Sequence, residues 1–139
     1  AKTLKNGWLH SGDVGYMCEE GFVRITDRKK DLIIKGGENI SAREIEEALY
    51  EHPAVIEAAV VAVPDEKFVE TIAAALVLNP TIETNEQELN DHLGKYITKF
   101  KIPTYFVMKP MLPKNSTGKI LKRTLREELA EELSLTPAK

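Results

Sequence analysis

The chain has 139 residues, of which 42% are apolar and 29% charged, and a net charge of −3. That balance suits one compact domain, or one domain carrying a short piece of another, and excludes a disordered chain. It also lacks the overall basic footprint of a nucleic-acid binder. The only cysteine, Cys18, excludes an internal disulfide and a thiolate metal cluster.

His10, His52 and His92 stand far apart with no ligand spacing, so the sequence predicts no metal site. No apolar run nears the roughly 20 residues that span a membrane. The first residues, Ala1-Lys2-Thr3-Leu4-Lys5-Asn6, carry no apolar signal core, so a reducing cytoplasm is the expected compartment. The basic residues gather in two groups: Arg28, Lys29, Lys30 and Lys35, and then Lys114, Lys119, Lys122, Arg123 and Arg126. Such local groups on an acidic chain suit small anions such as phosphates, or a solvated surface.

In chain order, Val14 to Met17 and Phe22 to Thr26 read as β-strands meeting at a Glu19-Glu20-Gly21 turn. Two strands alone are too few for stability, so residues 7–27 read as the end of something larger. The charged run Asp27-Arg28-Lys29-Lys30-Asp31 is the expected boundary. Leu32-Ile33-Ile34 predicts a strand, Gly36-Gly37 a turn and Asn39-Ile40 the return. Ser41 with Glu44 forms a capping box for a helix running to about Glu51, stopped by His52-Pro53.

Val55 to Val63 and Thr71 to Leu78 are apolar strands joined by a Pro64-Asp65-Glu66-Lys67 turn. A second helix is predicted from Thr84, with Gln87 completing its capping box, to about Thr98. Tyr105 to Met108 is a short strand. A polar loop, Leu112 to Lys119, leads to a final helix around Ile120 to Leu133. The order defines an α+β fold, a small mixed sheet covered by helices with an N-terminal β-hairpin.

The Gly118-Lys119 pair invites comparison with a phosphate-binding Walker loop. The match fails, because Pro113 stands where the first glycine belongs and Ile120 where a Ser or Thr belongs.

Four ordered blocks nevertheless resemble one family. Trp8-Leu9-His10-Ser11-Gly12-Asp13 is similar to the Trp-x-x-Thr-Gly-Asp segment of adenylate-forming enzymes. Asp27 to Asp31 resembles their hinge. Lys35-Gly36-Gly37-Glu38-Asn39-Ile40 with Glu44-Ile45-Glu46 resembles the hairpin and helix that follow. Pro113-Lys114-Asn115-Ser116-Thr117-Gly118-Lys119-Ile120-Leu121 resembles their terminal lysine motif. The likeness is nearer to acyl- and aryl-CoA ligases than to peptide-synthetase adenylation domains.

The resemblance implies a division into residues 1–27, the end of a large AMP-binding domain; 28–31, a hinge; and 32–139, a C-terminal lid. It implies ATP with Mg2+ and CoA as cofactors, a small carboxylic acid, with a fatty acid the leading expectation, as substrate, and the chain's own N-terminal domain as partner. Lys119 is the implied catalytic cation and Lys30 the hinge. Asp13 and Arg28 would hold the nucleotide, and Gly36, Gly37, Glu38 and Lys101 would border CoA.

Ser11 and Ala42 depart from the commoner Thr and Pro. Phe68-Val69 stands where relatives often have a basic or aromatic residue followed by Gly, which puts a CoA contact there in doubt. The phosphate-holding loop and acid pocket of the family are expected ahead of Ala1, so the chain alone is expected to be inactive. Two other readings fit the same residues: a stand-alone module that binds CoA or a carrier domain, and an enzyme that loads a carrier protein's thiol.

Overall fold

The structure, a computed structural model, describes residues 4–9 and 11–135. Residues 1–3 and 136–139 lie outside it, as does His10.

Two small hairpins come first. Strands β1 (Leu4–Lys5) and β2 (Trp8–Leu9) pair antiparallel, as do β3 (Asp13–Met17) and β4 (Val23–Arg28). A short 3-10 turn, Lys29–Asp31, then leads into a five-stranded sheet. That sheet holds β5 (Leu32–Lys35), β6 (Glu38–Ser41), β7 (Val55–Asp65), β8 (Val69–Leu78) and β9 (Tyr105–Met108).

The long β7–β8 hairpin is the spine, registered from Val55 opposite Leu78 to Asp65 opposite Val69. On its other side β8 meets β5 at Lys35–Val69 and runs parallel to β9 from Ala73–Tyr105 to Leu76–Met108. All other pairs are antiparallel, so the sheet is mixed, as the sequence predicts.

The alternation of strand side chains explains why β7 and β8 read as unbroken apolar runs. Ala58, Val60 and Ala62 with Ile72, Ala74 and Leu76 face one core. Helices α1 (Ala42–Tyr50) and α2 (Glu86–Leu93) cover that face with Ile45, Leu49, Leu89 and Leu93, all fully buried. Ala59, Val61 and Val63 with Ala73 and Ala75 face the opposite core, where α3 (Lys122–Glu132) inserts Leu125 and Leu129. Both faces of the β7–β8 hairpin are therefore buried along this stretch.

α1 starts where the sequence places it, with Ser41 Oγ accepting from the Glu44 amide at 3.3 Å. α2 requires a correction. Its cap is Asn85 rather than Thr84, because Asn85 Oδ1 reaches the Glu88 amide at 2.9 Å, and the helix ends at Leu93 rather than Thr98. Gly94 closes it, and the chain re-coils only briefly at Lys99–Lys101. Thr84 Oγ1 is left buried without a hydrogen-bond partner among the described residues.

α3 shows which forces hold an element and which set its position. Leu125 and Leu129 are fully buried, each worth about 1.5–3 kcal/mol. The ion pairs Lys122–Glu46 and Arg126–Glu70 are partly exposed, worth about 0–1 kcal/mol each. The leucines fasten the helix, and the pairs fix where it lies. Glu46 also accepts from the Val60 amide at 2.9 Å, so one carboxylate joins α1, the outer side of β7 and the first residue of α3.

The β3–β4 hairpin is built differently. Tyr16, Met17, Phe22, Val23 and Ile25 are each more than half exposed. Among the described residues this is the largest run of uncovered apolar side chains within one hairpin.

Candidate functional site

Lys119 sits at the tip of a loop that is organised from within. Lys114 and Ile120 pair across its root, and Leu121 N donates to Pro113 O at 2.9 Å. Asn115 N donates to Lys119 O at 2.9 Å, and Gly118 N donates back to Asn115 O at 3.0 Å. Gly118 takes φ +84°, a conformation that glycine adopts without a Cβ penalty.

The loop's charge is equally ordered. Lys114 pairs with Glu57, Lys122 with Glu46, Arg126 with Glu70 and Arg123 with Glu127. Lys119 alone in this basic group is exposed with no carboxylate partner among the described residues. The fold thus neutralises four cations and leaves the fifth available.

Asp13 and Arg28 meet at the open end of the β3–β4 hairpin. They are opposite residues in its register, and Arg28 Nη1 donates to Asp13 Oδ1 at 3.1 Å. Asp27 and Asp31 are the carboxylates nearest Arg28 in sequence, and the hairpin brings it to Asp13, fifteen residues away. Lys29 N donates to Gly12 O at 2.7 Å, which holds the chain just before Lys30 against the segment carrying Asp13. Lys30 is the middle residue of the 3-10 turn between β4 and β5.

Gly36 and Gly37 form the β5–β6 turn with φ +56° and +85°. A Cβ on Gly36 would lie 3.1 Å from the Phe68 ring and 3.4 Å from that of Phe100, whereas one on Gly37 would meet nothing within 4 Å. Phe68 and Phe100 pack edge to face at 5.9 Å. Lys35 is buried beneath the turn, its ammonium 4.5 Å from the Phe100 ring centre and donating to Phe100 O at 3.1 Å. It therefore leaves the basic group to which its sequence position assigns it.

Glu38, opposite Lys35, is exposed. Lys101 donates to both oxygens of Glu44 at 3.0 and 3.2 Å. Val69, across from Lys35, takes φ +70°, a rare conformation for a β-branched residue.

The lysine loop and the glycine turn stand at opposite ends of β7. The first is tied to Glu57, and the second abuts the turn that follows Asp65. Eight residues (65 − 57) separate these anchors, roughly 26 Å at the rise of a strand.

His52 and His92 are not apart in space. Their rings meet edge to face at 5.0 Å. His52 Nδ1 accepts from the Ala54 amide at 3.1 Å, and His92 Nε2 donates to Ala48 O at 2.8 Å. Burial, reinforced by His92, pushes the His52 imidazole below its ordinary pKa. Among the described residues no three His, Cys, Asp or Glu side chains group as metal ligands. No helix there is long and apolar enough to cross a membrane.

Sequence reasoning missed the roles of Asn115, Glu57, Lys35 and Phe100. The available signal was Asn two residues before Thr117, a spacing that favours a side-chain-closed turn.

Residues 44–119 match the AMP-binding enzyme C-terminal domain family, and the chain belongs to that family. It is 47% identical over 131 residues to a long-chain-fatty-acid–CoA ligase of Bacillus subtilis, covering 94% of this chain and 23% of that protein. It is 46% identical over 135 residues to an acetate–CoA ligase of Humulus lupulus, covering 94% and 24%. Among solved structures it resembles an o-succinylbenzoate CoA synthetase of Bacillus subtilis in complex with its acyl-adenylate intermediate. The TM-score there is 0.83 and the identity 42%, over 90% of this chain and 25% of that one. The chain thus spans about a quarter of the length of the relatives it matches.

Proposed function

We propose that this chain is the C-terminal part of an ATP-dependent acid–CoA ligase, in which residues 1–27 end a large AMP-binding body, 28–31 form the hinge and 32–139 form a lid. The observation that carries the reading is the uncompensated Lys119 on a preformed loop, at the far end of β7 from the glycine turn.

In the first half-reaction a carboxylate oxygen attacks the α-phosphorus of ATP, and pyrophosphate leaves. Negative charge crowds around both reactants, and Lys119 supplies the facing positive charge in a site closed to water. Asp13 accepts from the ribose hydroxyls, and Arg28 donates to ribose or phosphate oxygens from beside it. Mg2+ enters with ATP, carried on its phosphates.

In the second half-reaction the CoA sulfur attacks the acyl carbon and AMP leaves. Gly36, Gly37 and Glu38 border the pantetheine arm, and Lys101 exchanges Glu44 for a CoA phosphate. The anchors of the two loops lie about 26 Å apart along β7, which favours presenting one end of the lid to the reaction centre at a time. The lid therefore turns about Lys30 between the two steps.

The acid is selected by the body, outside these residues. The relatives bear the names of a long-chain fatty acid, acetate and o-succinylbenzoate at 47, 46 and 42% identity, so similar lids accompany dissimilar acids. Cytoplasmic ATP and CoA make the cytoplasm its place of work.

The test is Lys119→Ala in the complete enzyme. Adenylate formation should fall ~10²-fold or more, while thioester formation from a supplied acyl-adenylate is spared. Equal losses in both halves would remove Lys119 from the adenylation role. The 139-residue chain alone should catalyse no ATP–pyrophosphate exchange with any carboxylic acid.

A further inference from the structure

We infer that Asn115 is a positioning residue for Lys119, fixing the direction of its backbone before any substrate arrives. The inference rests on the adenylation role proposed for Lys119 and extends it to a second side chain.

The side-chain oxygen of Asn115 accepts three hydrogen bonds: from Thr117 N at 3.0 Å, Thr117 Oγ1 at 2.7 Å and Lys119 N at 2.9 Å. The third holds the catalytic lysine's own amide. Together with the backbone bonds between residues 115, 118 and 119, it closes the tip into a single small ring structure. The root is fixed independently, by the Lys114–Ile120 pairing and the Lys114–Glu57 ion pair to β7. Root and tip are therefore held by different groups, and the Asn115 side chain orients the segment from 117 to 119.

Such an arrangement matters because a lysine carries its charge on a long flexible stem. A displacement of about 1 Å at a reacting group is enough to cost ~10²-fold in rate. A tip left to fluctuate would spread the ammonium over many positions, with entropy lost again at each turnover. A short side chain with one well-placed acceptor removes that freedom without adding a charge that would offset Lys119.

Two measurements test the inference. In the 139-residue chain, backbone 15N order parameters at residues 116–119 should be near the roughly 0.85 of rigid backbone and fall below about 0.6 in Asn115→Ala. Asn115→Asp, which keeps the acceptor, should restore them. In the complete enzyme Asn115→Ala should lower kcat for adenylation ~10- to 10²-fold. It should spare thioester formation from supplied acyl-adenylate and leave the melting temperature unchanged. Unaltered order parameters in Asn115→Ala, or equal losses in both half-reactions, would overturn the inference. Lys119→Ala measured alongside separates the two ideas. If that variant adenylates normally, the functional reading fails and the positioning role fails with it, while the order parameters still decide whether Asn115 shapes the loop.

Discussion

Arg28 Nη1 lies 3.1 Å from Asp13 Oδ1, joining the two ends of the β3–β4 hairpin and the two groups expected to hold the nucleotide. The Arg28 side chain is 53% exposed, so the pair itself contributes about 0–1 kcal/mol. Asp13→Ala should therefore leave the melting temperature of the chain nearly unchanged. In the complete enzyme the same substitution should raise KM for ATP in pyrophosphate exchange by about tenfold or more, the loss of one or more hydrogen bonds to a charged group. A large loss of stability with unchanged KM would make Asp13 a structural residue.

Lys30 occupies the centre of a 3-10 turn, where φ is near the roughly −65° that proline imposes. Lys30→Pro should hold this backbone angle and resist the torsion change that a pivot requires. Adenylation should persist and thioester formation collapse, irrespective of CoA concentration. Gly37→Trp should give the same split by filling the open space beside the turn, with partial rescue at high CoA. Equal loss in both half-reactions by a folded Lys30→Pro enzyme would move the pivot elsewhere.

Val69 at φ +70° strains a β-branched residue by about 1–3 kcal/mol. Glycine costs about 0.5–1 kcal/mol in chain entropy but carries no Cβ penalty. Val69→Gly should raise the urea midpoint of unfolding, and the exposure of Val69 means that little packing is lost. A lowered midpoint would show that the side chain supports its neighbours.

The depressed His52 pKa gives stability a pH dependence of known sign. The unfolded chain takes up a proton at His52 near pH 6.5, before the folded chain does. The contribution is complete above about pH 6.5 and is lost as pH falls through the folded value. Melting temperature should thus decline from about pH 7.5 to 5, and His52→Asn, which keeps an acceptor for the Ala54 amide, should flatten the decline. An identical slope in the variant would assign the dependence to other groups.

Much of the fold is legible in local chemistry. Ser41 declares a helix start, Gly36-Gly37 a turn, and Tyr105 to Met108 the strand that forms. The misreadings have physical causes. Thr84 and Asn85 are both capping types, and only the reach of Asn85 to the Glu88 amide decides between them. Pro64 reads as a turn, yet it lies within β7 paired with Glu70. The sheet order leaves β7 at an edge, where a proline's missing donor is tolerated. Pairs such as Lys114–Glu57 and Lys101–Glu44 join residues 57 positions apart, which no local pattern encodes. The site's roles came from family likeness, whereas the support beneath Lys119 and Gly36 appeared only in three dimensions.

Glu46 has a consequence for how the chain behaves in company. β7 forms one margin of the sheet, and an open margin invites a second molecule to add a strand through its backbone. The Val60 amide is one of the donors such a visitor would pair with, and Glu46 already occupies it while holding Lys122. An incoming strand would have to evict a carboxylate and strand a cation at once. At that position the margin is thereby closed to a strand added from another copy.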